Sequence, residues 1–363
     1  MRQTNVLVIG GGPAGLSAAT AAAQCGARVI LVDSSSRLGG QLIKQTHKFF
    51  GSREQRAGTR GIEIARLLQE EAEAARVEIL PETAALGLYS DGVVTLEKNE
   101  RLIKLKPERL VVATGASEKT LAFANNDLPG IYGAGAVQTL MNVHGVRPGQ
   151  RAVMVGAGNI GLIVSYQLCQ AGVEVAAVVE AAPSIGGYAV HASKIRRLGI
   201  PILTSYSIKA AHGGETLEGV TVWQLNEKWQ GIPGTEQVLA ADILCLAVGL
   251  TPLTELLWQA GCQMEYIPEL GGHVPWYDEN QQTSVPGIYV AGDAAAVEEA
   301  SSAMVTGKLA GLASAHSLGL CPDFPVLGEK VRQELTQLRA GPTGEKIRKG
   351  LGKLRARSRP GAM

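Results

Sequence analysis

Val6-Leu7-Val8-Ile9-Gly10-Gly11-Gly12-Pro13-Ala14-Gly15, followed by the alanine-rich residues 16–25 and by Ala27-Arg28-Val29-Ile30-Leu31-Val32-Asp33, is the stretch whose reading decides the fold. The apolar run 6–9 reads as a strand, 16–25 as a helix, and 27–33 as a second strand ending in an acid. A strand, a Gly-x-Gly-x-x-Gly turn, a helix and a strand in that order make the unit that cradles a dinucleotide pyrophosphate. The phosphates must come close to backbone amides at a helix N-terminus, where the dipole favours negative charge. Gly10 allows the tight turn, Gly12 removes the side chain that would block the phosphates, and Gly15 lets helix and strand pack closely, with Pro13 and Ala14 between them. Asp33, with Ser34 beside it, stands where a carboxylate can accept from ribose hydroxyls.

The pattern restarts at Gly156, 146 residues after Gly10. Gly156-Ala157-Gly158-Asn159-Ile160-Gly161 separates a strand over 152–155 from a helix over 162–171, and the strand 173–180 again ends in an acid, Glu180. That carboxylate suits the free 2′-hydroxyl of NAD and would repel the 2′-phosphate of NADP. The glycines of a duplicated unit can also serve packing alone. Each unit continues with a pair of alternating segments, 93–97 with 101–106 and 220–225 with 236–240, read as antiparallel strands. An apolar strand then ends at glycine: 110–114 at Gly115, and 242–248 at Gly249. Parallel strands with helical crossovers place both units in the doubly wound α/β class.

Three further places add to the first site. Gly39-Gly40-Gln41-Leu42 offers flexible backbone to run beside a flavin's ribityl chain, with Gln41 as a hydrogen-bonding side chain. Ala113-Thr114-Gly115 and Ala291-Gly292-Asp293 each cap an apolar strand, at the edge of a Rossmann sheet where ligands lie. Asp293 can hold a ribityl hydroxyl, and the start of a helix over 301–317, at Ser302 and Ala303, can face the carbonyl edge of a flavin ring.

Composition excludes several classes. The 363 residues carry a net charge of +1, which gives no reason to expect nucleic acid as a partner. No apolar run approaches the ~20 residues of a membrane span, and no secretory leader is read, so a cytoplasmic protein is expected. The five cysteines are scattered and never form Cys-x-x-Cys, which argues against a disulfide framework and leaves no metal site expected. Glycine is abundant, at 45 residues, above the usual ~7%. From Glu329 onward ten Lys or Arg stand against three Glu, so residues 323–363 read as a basic extension, solvated or serving as a docking arm for an acidic partner, within which 327–339 can form an amphipathic helix.

Together, Gly10–Gly15, Gly39–Leu42, Ala113–Gly115, Gly156–Gly161, Gly249 and Gly292-Asp293 resemble the pyridine nucleotide-disulfide oxidoreductase superfamily in its compact thioredoxin-reductase-like layout. The resemblance implies FAD in a first domain (1–118 and 269–322) and an inserted NAD-binding-like domain (119–268), open to NAD(H). It implies FAD contacts at Gly10, Gly12, Pro13, Ala14, Gly15, Asp33, Ser34, Gly40, Gln41, Leu42, Ala113, Thr114, Gly115, Gly292, Asp293, Ser302 and Ala303. At the second site it implies Gly156, Gly158, Asn159, Ile160, Gly161, Glu180 and Gly249. The redox cysteine pairs of the disulfide reductases are missing, and without a thiolate there is no dithiol relay.

A narrower resemblance rests on Gln41-Leu42-Ile43-Lys44-Gln45-Thr46-His47-Lys48-Phe49-Phe50-Gly51, with Ile185-Gly186-Gly187-Tyr188 and His191. These are similar to the flavin subunits of opine oxidase, hydrogen cyanide synthase, dye-linked proline or hydroxyproline dehydrogenase and sarcosine oxidase alpha. The implied function is an FAD-dependent, electron-transferring subunit of a multi-subunit amino-acid or amine dehydrogenase. The implied partners are a separate iron–sulfur protein and a second flavoprotein subunit. Lys44, His47, Lys48 and His191 are candidates for work near the flavin. Two alternatives remain open: a free-standing NADH-dependent reductase of a small redox protein or quinone, and a non-enzymatic assembly subunit with structural nucleotides.

Overall fold

Strand β1 (Arg2–Ile9) is buried on both sides from Val6 onward, as a central parallel strand must be. Helix α1 (Pro13–Gln24) returns the chain so that β2 (Val29–Val32) pairs parallel with β1 from Val6↔Val29 to Ile9↔Val32. Helix α2 (Gly61–Ala74) carries it to β3 (Glu78–Leu80), which extends the same sheet beside β2. Antiparallel β4 (Ala84–Leu88) and β5 (Val94–Lys98) lead into β6 (Arg101–Val112), the other parallel neighbour of β1. The computed structural model describes residues 2–49 and 52–357, in two compact units: residues 2–117 with 250–357, and Glu118–Gly249.

The first unit's sheet runs β3-β2-β1-β6-β5-β4, with the late strand Ile288–Val290 joining parallel to β6. Alternate residues serve two cores, as the twofold strand period requires. Val6, Val8, Val29, Leu31 and Val111 face α1, while Leu7, Ile9, Ile30, Val32 and Val112 face the opposite layer. The second unit's parallel sheet runs Ile202–Thr204, Glu174–Glu180, Arg151–Val155, Ile243–Leu246, Ile131–Gly133. One face carries helices; the other is covered by the antiparallel strands Tyr206–His212, Gly219–Gln224 and Gln237–Ala240.

The two units share a strand order, but the chain enters it at different places. The strand next to the closing strand is Ile288–Val290 in the first unit, where it comes late, and Ile131–Gly133 in the second, where it comes first. Each of these strands leads to a helix, Ala300–His316 and Ala134–Asn142 respectively.

Three expectations change. The segments 101–106 and 110–114 are not separate strands; they form one strand through Pro107. Residue 107 keeps its place opposite Thr4 of β1, while on the other side of β6 the partner changes from β5, opposite 101–105, to Ile288–Val290, opposite 110–112. The chain rejoins the first unit at Leu250 rather than at 269, because Leu256, Leu257, Cys262, Ile267, Leu270 and Val274 are buried in that unit's core. Residues 323–357 are not a solvated extension. They form helices Phe324–Leu338 and Glu345–Arg355, whose Phe324, Val331, Leu335, Leu351 and Leu354 are buried in the same unit; residues 358–363 lie outside the described residues.

What joins the late segment to the first motif is one close helix pair. Ala300–His316 is buried all round except at its ends and at Lys308. A Cβ on Gly307 would collide with the Ala14 carbonyl, and one on Gly311 with that of Ala18, so the two backbones touch. Gly311→Val is expected to lower the stability of the cofactor-free chain by about 1–3 kcal/mol, while Lys308→Ala stays within about 0.5 kcal/mol. Urea unfolding followed by circular dichroism measures both; equal midpoints for Gly311→Val and wild type would contradict the close approach.

Candidate dinucleotide-binding sites

In the first unit the turn between β1 and α1 presses against the end of β6. Gly10 has φ +105°, in the left-handed region, and a Cβ there would run into the Ala113 carbonyl. A Cβ on Gly15 would in turn strike the Gly10 carbonyl, so the turn closes tightly under the helix start. Helix α1 opens with Pro13 at its first position and Gly12 as an extended N-cap, and no side chain caps it. Its first amides are therefore left for an anion. A Cβ on Gly12 would meet nothing nearer than Gly40 Cα at 3.9 Å, which leaves a cradle at the helix mouth.

The Asp33 carboxylate accepts from the Gly11 amide at 2.5 Å through Oδ2 and from the Ser35 amide at 2.7 Å through Oδ1. These bonds hold both the acid and the turn before any ligand arrives, and each oxygen keeps capacity for a further donor. Ser34 is exposed. The Gly39 amide donates to the Gly11 carbonyl at 2.7 Å, which lays Gly39-Gly40 over the turn, while fully buried Leu42 anchors the loop and Gln41 is exposed. The Thr114 hydroxyl donates to the Leu253 carbonyl at 2.6 Å, fixing the end of β6.

The late segment supplies the rest of this site. The Gly292 amide donates to Thr306 Oγ1 at 3.1 Å, and a Cβ on Gly292 would sit 2.8 Å from Ala14 Cβ. Asp293 therefore stands beside the start of α1. Burial pushes its carboxyl up to about 7, the Glu298 amide opposes that by donating at 3.2 Å, and the Glu298 charge adds to the rise. Ser302 and Ala303 are buried in the first turn of Ala300–His316, whose N-cap residue, Glu299, makes no side-chain cap hydrogen bond.

The second unit repeats this geometry. Gly156 has φ +102°, and a Cβ there would strike the Ala247 carbonyl; one on Gly161 would strike the Gly156 carbonyl. Glu180 accepts from the Ala157 amide at 2.7 Å and from the Ala182 amide at 2.9 Å, as Asp33 does from Gly11 and Ser35. Gly158 caps helix Asn159–Gln170 with no heavy atom within 4 Å of an added Cβ, so this cradle is open too. The Gly187 amide donates to the Ala157 carbonyl at 2.9 Å, and the Tyr188 amide donates to Asn159 Oδ1 at 2.8 Å. Ile160 is exposed, and Gly249 takes φ +114° while its carbonyl accepts from the Lys119 amide at 3.0 Å. One feature differs: the Glu118 carboxylate accepts from the Gly135 amide at 2.6 Å and the Ala136 amide at 3.2 Å, so an acid caps helix Ala134–Asn142.

Among the candidates for catalysis, Lys44 closes the 3₁₀ turn Gly40–Lys44, His47 stacks on Phe49 with ring centroids 5.5 Å apart, and exposed Lys48 bridges to Arg60 through backbone. Phe50 and Gly51 of the same motif lie outside the described residues. His191 is buried, which, with Lys194 nearby, holds its imidazole below the ordinary value. None of the five cysteines forms a disulfide. Burial pushes the Cys25 and Cys245 thiols up to about 12 and raises Cys169 and Cys262, so these four are protonated at neutral pH. No helix among the described residues is long and apolar enough to cross a membrane.

Sequence reading missed Glu118, Leu253, Glu298 and the role of Gly186-Gly187 as the counterpart of Gly39-Gly40. That last parallel was available, because Gly39 lies six residues after Asp33 and Gly186 six after Glu180. The others act through backbone groups or through distant chain, which leaves no local signature.

The chain belongs to the pyridine nucleotide-disulphide oxidoreductase family, which it matches over residues 4–311, and is an oxidoreductase of that family. More particularly, it is 30% identical over 347 residues to the alpha subunit of sarcosine oxidase from Rhizobium meliloti, covering 91% of this chain and 32% of that one. It is 28% identical to an opine oxidase subunit from Agrobacterium tumefaciens, over 87% of this chain and 66% of the relative. The crystal structure of L-proline dehydrogenase from P. horikoshii superposes with a TM-score of 0.69 at 25% identity, covering 91% of this chain and 59% of that one. The chain thus spans about a third of the length of the sarcosine oxidase relative and about two thirds of the opine oxidase relative.

The Asp293 carboxyl ionises near its ordinary 3.8 in the unfolded chain and near 7 in the folded, cofactor-free protein. Between those values the folded state holds a proton that the unfolded chain has released, so this group's contribution to stability is lost as pH rises from about 4 to 7. The stability of wild type relative to Asp293→Asn is expected to fall across that window in urea titrations of cofactor-free protein. A difference independent of pH would show that the Asp293 carboxyl is not raised in the folded chain.

Proposed function

We propose that the chain binds FAD in its first unit and acts as the electron-transferring flavin subunit of an amino-acid or amine dehydrogenase, with an NAD(H)-type nucleotide in the second unit. The reading is carried by the convergence of four separate segments on one uncapped helix start: the Gly10–Gly15 turn, Asp33, Gly39-Gly40 and Gly292-Asp293. FAD, when bound, supplies a two-electron acceptor. The amides at the start of α1 hold its pyrophosphate, and Asp33 accepts from the ribose hydroxyls. Asp293 holds a ribityl hydroxyl, and the start of Ala300–His316 offers its positive dipole end to the ring's carbonyl edge. In the second unit Glu180, already aligned by two amides, accepts from the 2′-hydroxyl of a nicotinamide dinucleotide.

The raised thiols leave disulfide reduction without a nucleophile among the four cysteines concerned, which favours hand-over of electrons to another cofactor. The proposed partners, in the cytoplasm, are a separate iron–sulfur protein and a second flavoprotein subunit. Sarcosine, opines and proline share a secondary amine next to a carboxylate-bearing carbon. Amino acids of that class are the proposed substrates of the complex.

The chain is expected to purify with about one flavin per polypeptide. Its flavin should bleach with a secondary amino acid only when a partner subunit encoded beside it is co-purified, measured anaerobically at the flavin absorption band against glycine and NADH. Rapid bleaching of the isolated chain by NADH would favour a free-standing reductase instead, and full-rate turnover of an amino acid by the isolated chain would overturn partner dependence. Bound flavin bleached by neither reductant, with the partner present, would leave a structural role.

A further inference from the structure

The C-terminal helices reach the cofactor site through one buried ion pair. Arg339, the C-cap of helix Phe324–Leu338, is 8% exposed and grips Glu298 with two donors: Nε to Oε2 at 2.9 Å, and Nη2 to Oε1. Glu298 in turn donates its backbone amide to Asp293 Oδ1. Buried Tyr277 lies beside the pair, which shields it further from water. Arg339 is itself fixed, since Arg348 Nη1 donates to its carbonyl and to that of Gly341 at 2.8 Å. A parallel tie runs from Arg332 Nη1 to Asn280 Oδ1 at 2.7 Å. Two charges held in so little water persist only when paired, so this contact has one geometry and its removal leaves an uncompensated carboxylate.

We infer that Arg339 is a positioning residue for the cofactor site: by holding Glu298 it fixes the 293–298 loop, and through the Glu298 amide it sets the place of the Asp293 carboxylate. The inference rests on the flavin reading of the first unit, but its first consequence needs no flavin. Arg339→Gln frees the loop, so the amides of residues 293–299 exchange with solvent faster in the cofactor-free chain. Its second consequence is weaker uptake of FAD, by about tenfold, the range seen when residues supporting a ligand-binding group are removed. Because both act through one carboxylate, Arg339→Gln added to Asp293→Asn costs no affinity beyond Asp293→Asn alone.

Hydrogen exchange by mass spectrometry on the full chain, with FAD titration of deflavinated protein, tests these points. Arg339→Lys, which keeps the charge and loses the fork, should recover part of the affinity. If Arg339→Gln does not fold, Glu298→Gln/Arg339→Gln removes both charges and should fold while keeping the loop loose and FAD binding weak. Unchanged exchange in residues 293–299, wild-type FAD affinity in the folded variant, or additive losses with Asp293→Asn would each overturn the inference. A wild-type chain that takes up no FAD would overturn the flavin reading, and the exchange measurement would still decide whether Arg339 holds the loop.

Discussion

Everything in the first unit depends on how closely the helix Ala300–His316 lies on α1. The two backbones meet where Gly307 and Gly311 face Ala14 and Ala18, and no larger residue fits at that seam. Close packing of small residues leaves little room for adjustment, so the contact sets both the distance and the rotation of the helices. It also explains how a chain so rich in glycine and alanine, with only 4% aromatic residues, can bury one helix, Ala300–His316, on nearly every side. The turn at Gly292 is carried in on that helix and comes to rest against Ala14.

The same economy governs the two cradles. In each unit a carboxylate at a strand end collects backbone amides from the glycine turn and from its own loop, and a glycine loop donates back to the turn. A site held this way is shaped before its ligand arrives, which lowers the ordering cost of binding. The units diverge at the helix that follows the edge strand. At the start of Ala134–Asn142 the Glu118 carboxylate accepts from two first-turn amides, whereas the start of Ala300–His316 is marked by buried Ser301 and Ser302.

The parallel sheets, the glycine turns and the acids at strand ends were legible because each is forced by local sterics or by the period of apolar residues. Gly10 must leave the ordinary backbone region, and β1 must be apolar on both faces. Three things were not legible. Residues 101–106 and 110–114 read as two segments, but the ladder with β1 carries them through Pro107 as one strand. In residues 323–357 the helix over 327–339 was legible from its period, but the docking was not, because the charges are conspicuous and the buried Phe324, Val331, Leu335, Leu351 and Leu354 are sparse. The Arg339–Glu298 pair joins residues whose meeting only tertiary structure decides.

The different placement of the edge strand has a consequence for how the molecule is made. The second unit is a continuous stretch, Glu118–Gly249, and has its whole sheet once that stretch has left the ribosome. The first unit, although its opening strand emerges earliest, lacks Ile288–Val290 and the helix that seats against α1 until translation has passed His316. Domains ordinarily fold in order of synthesis. Here the connectivity lets the inserted unit complete its sheet before the unit that was begun first.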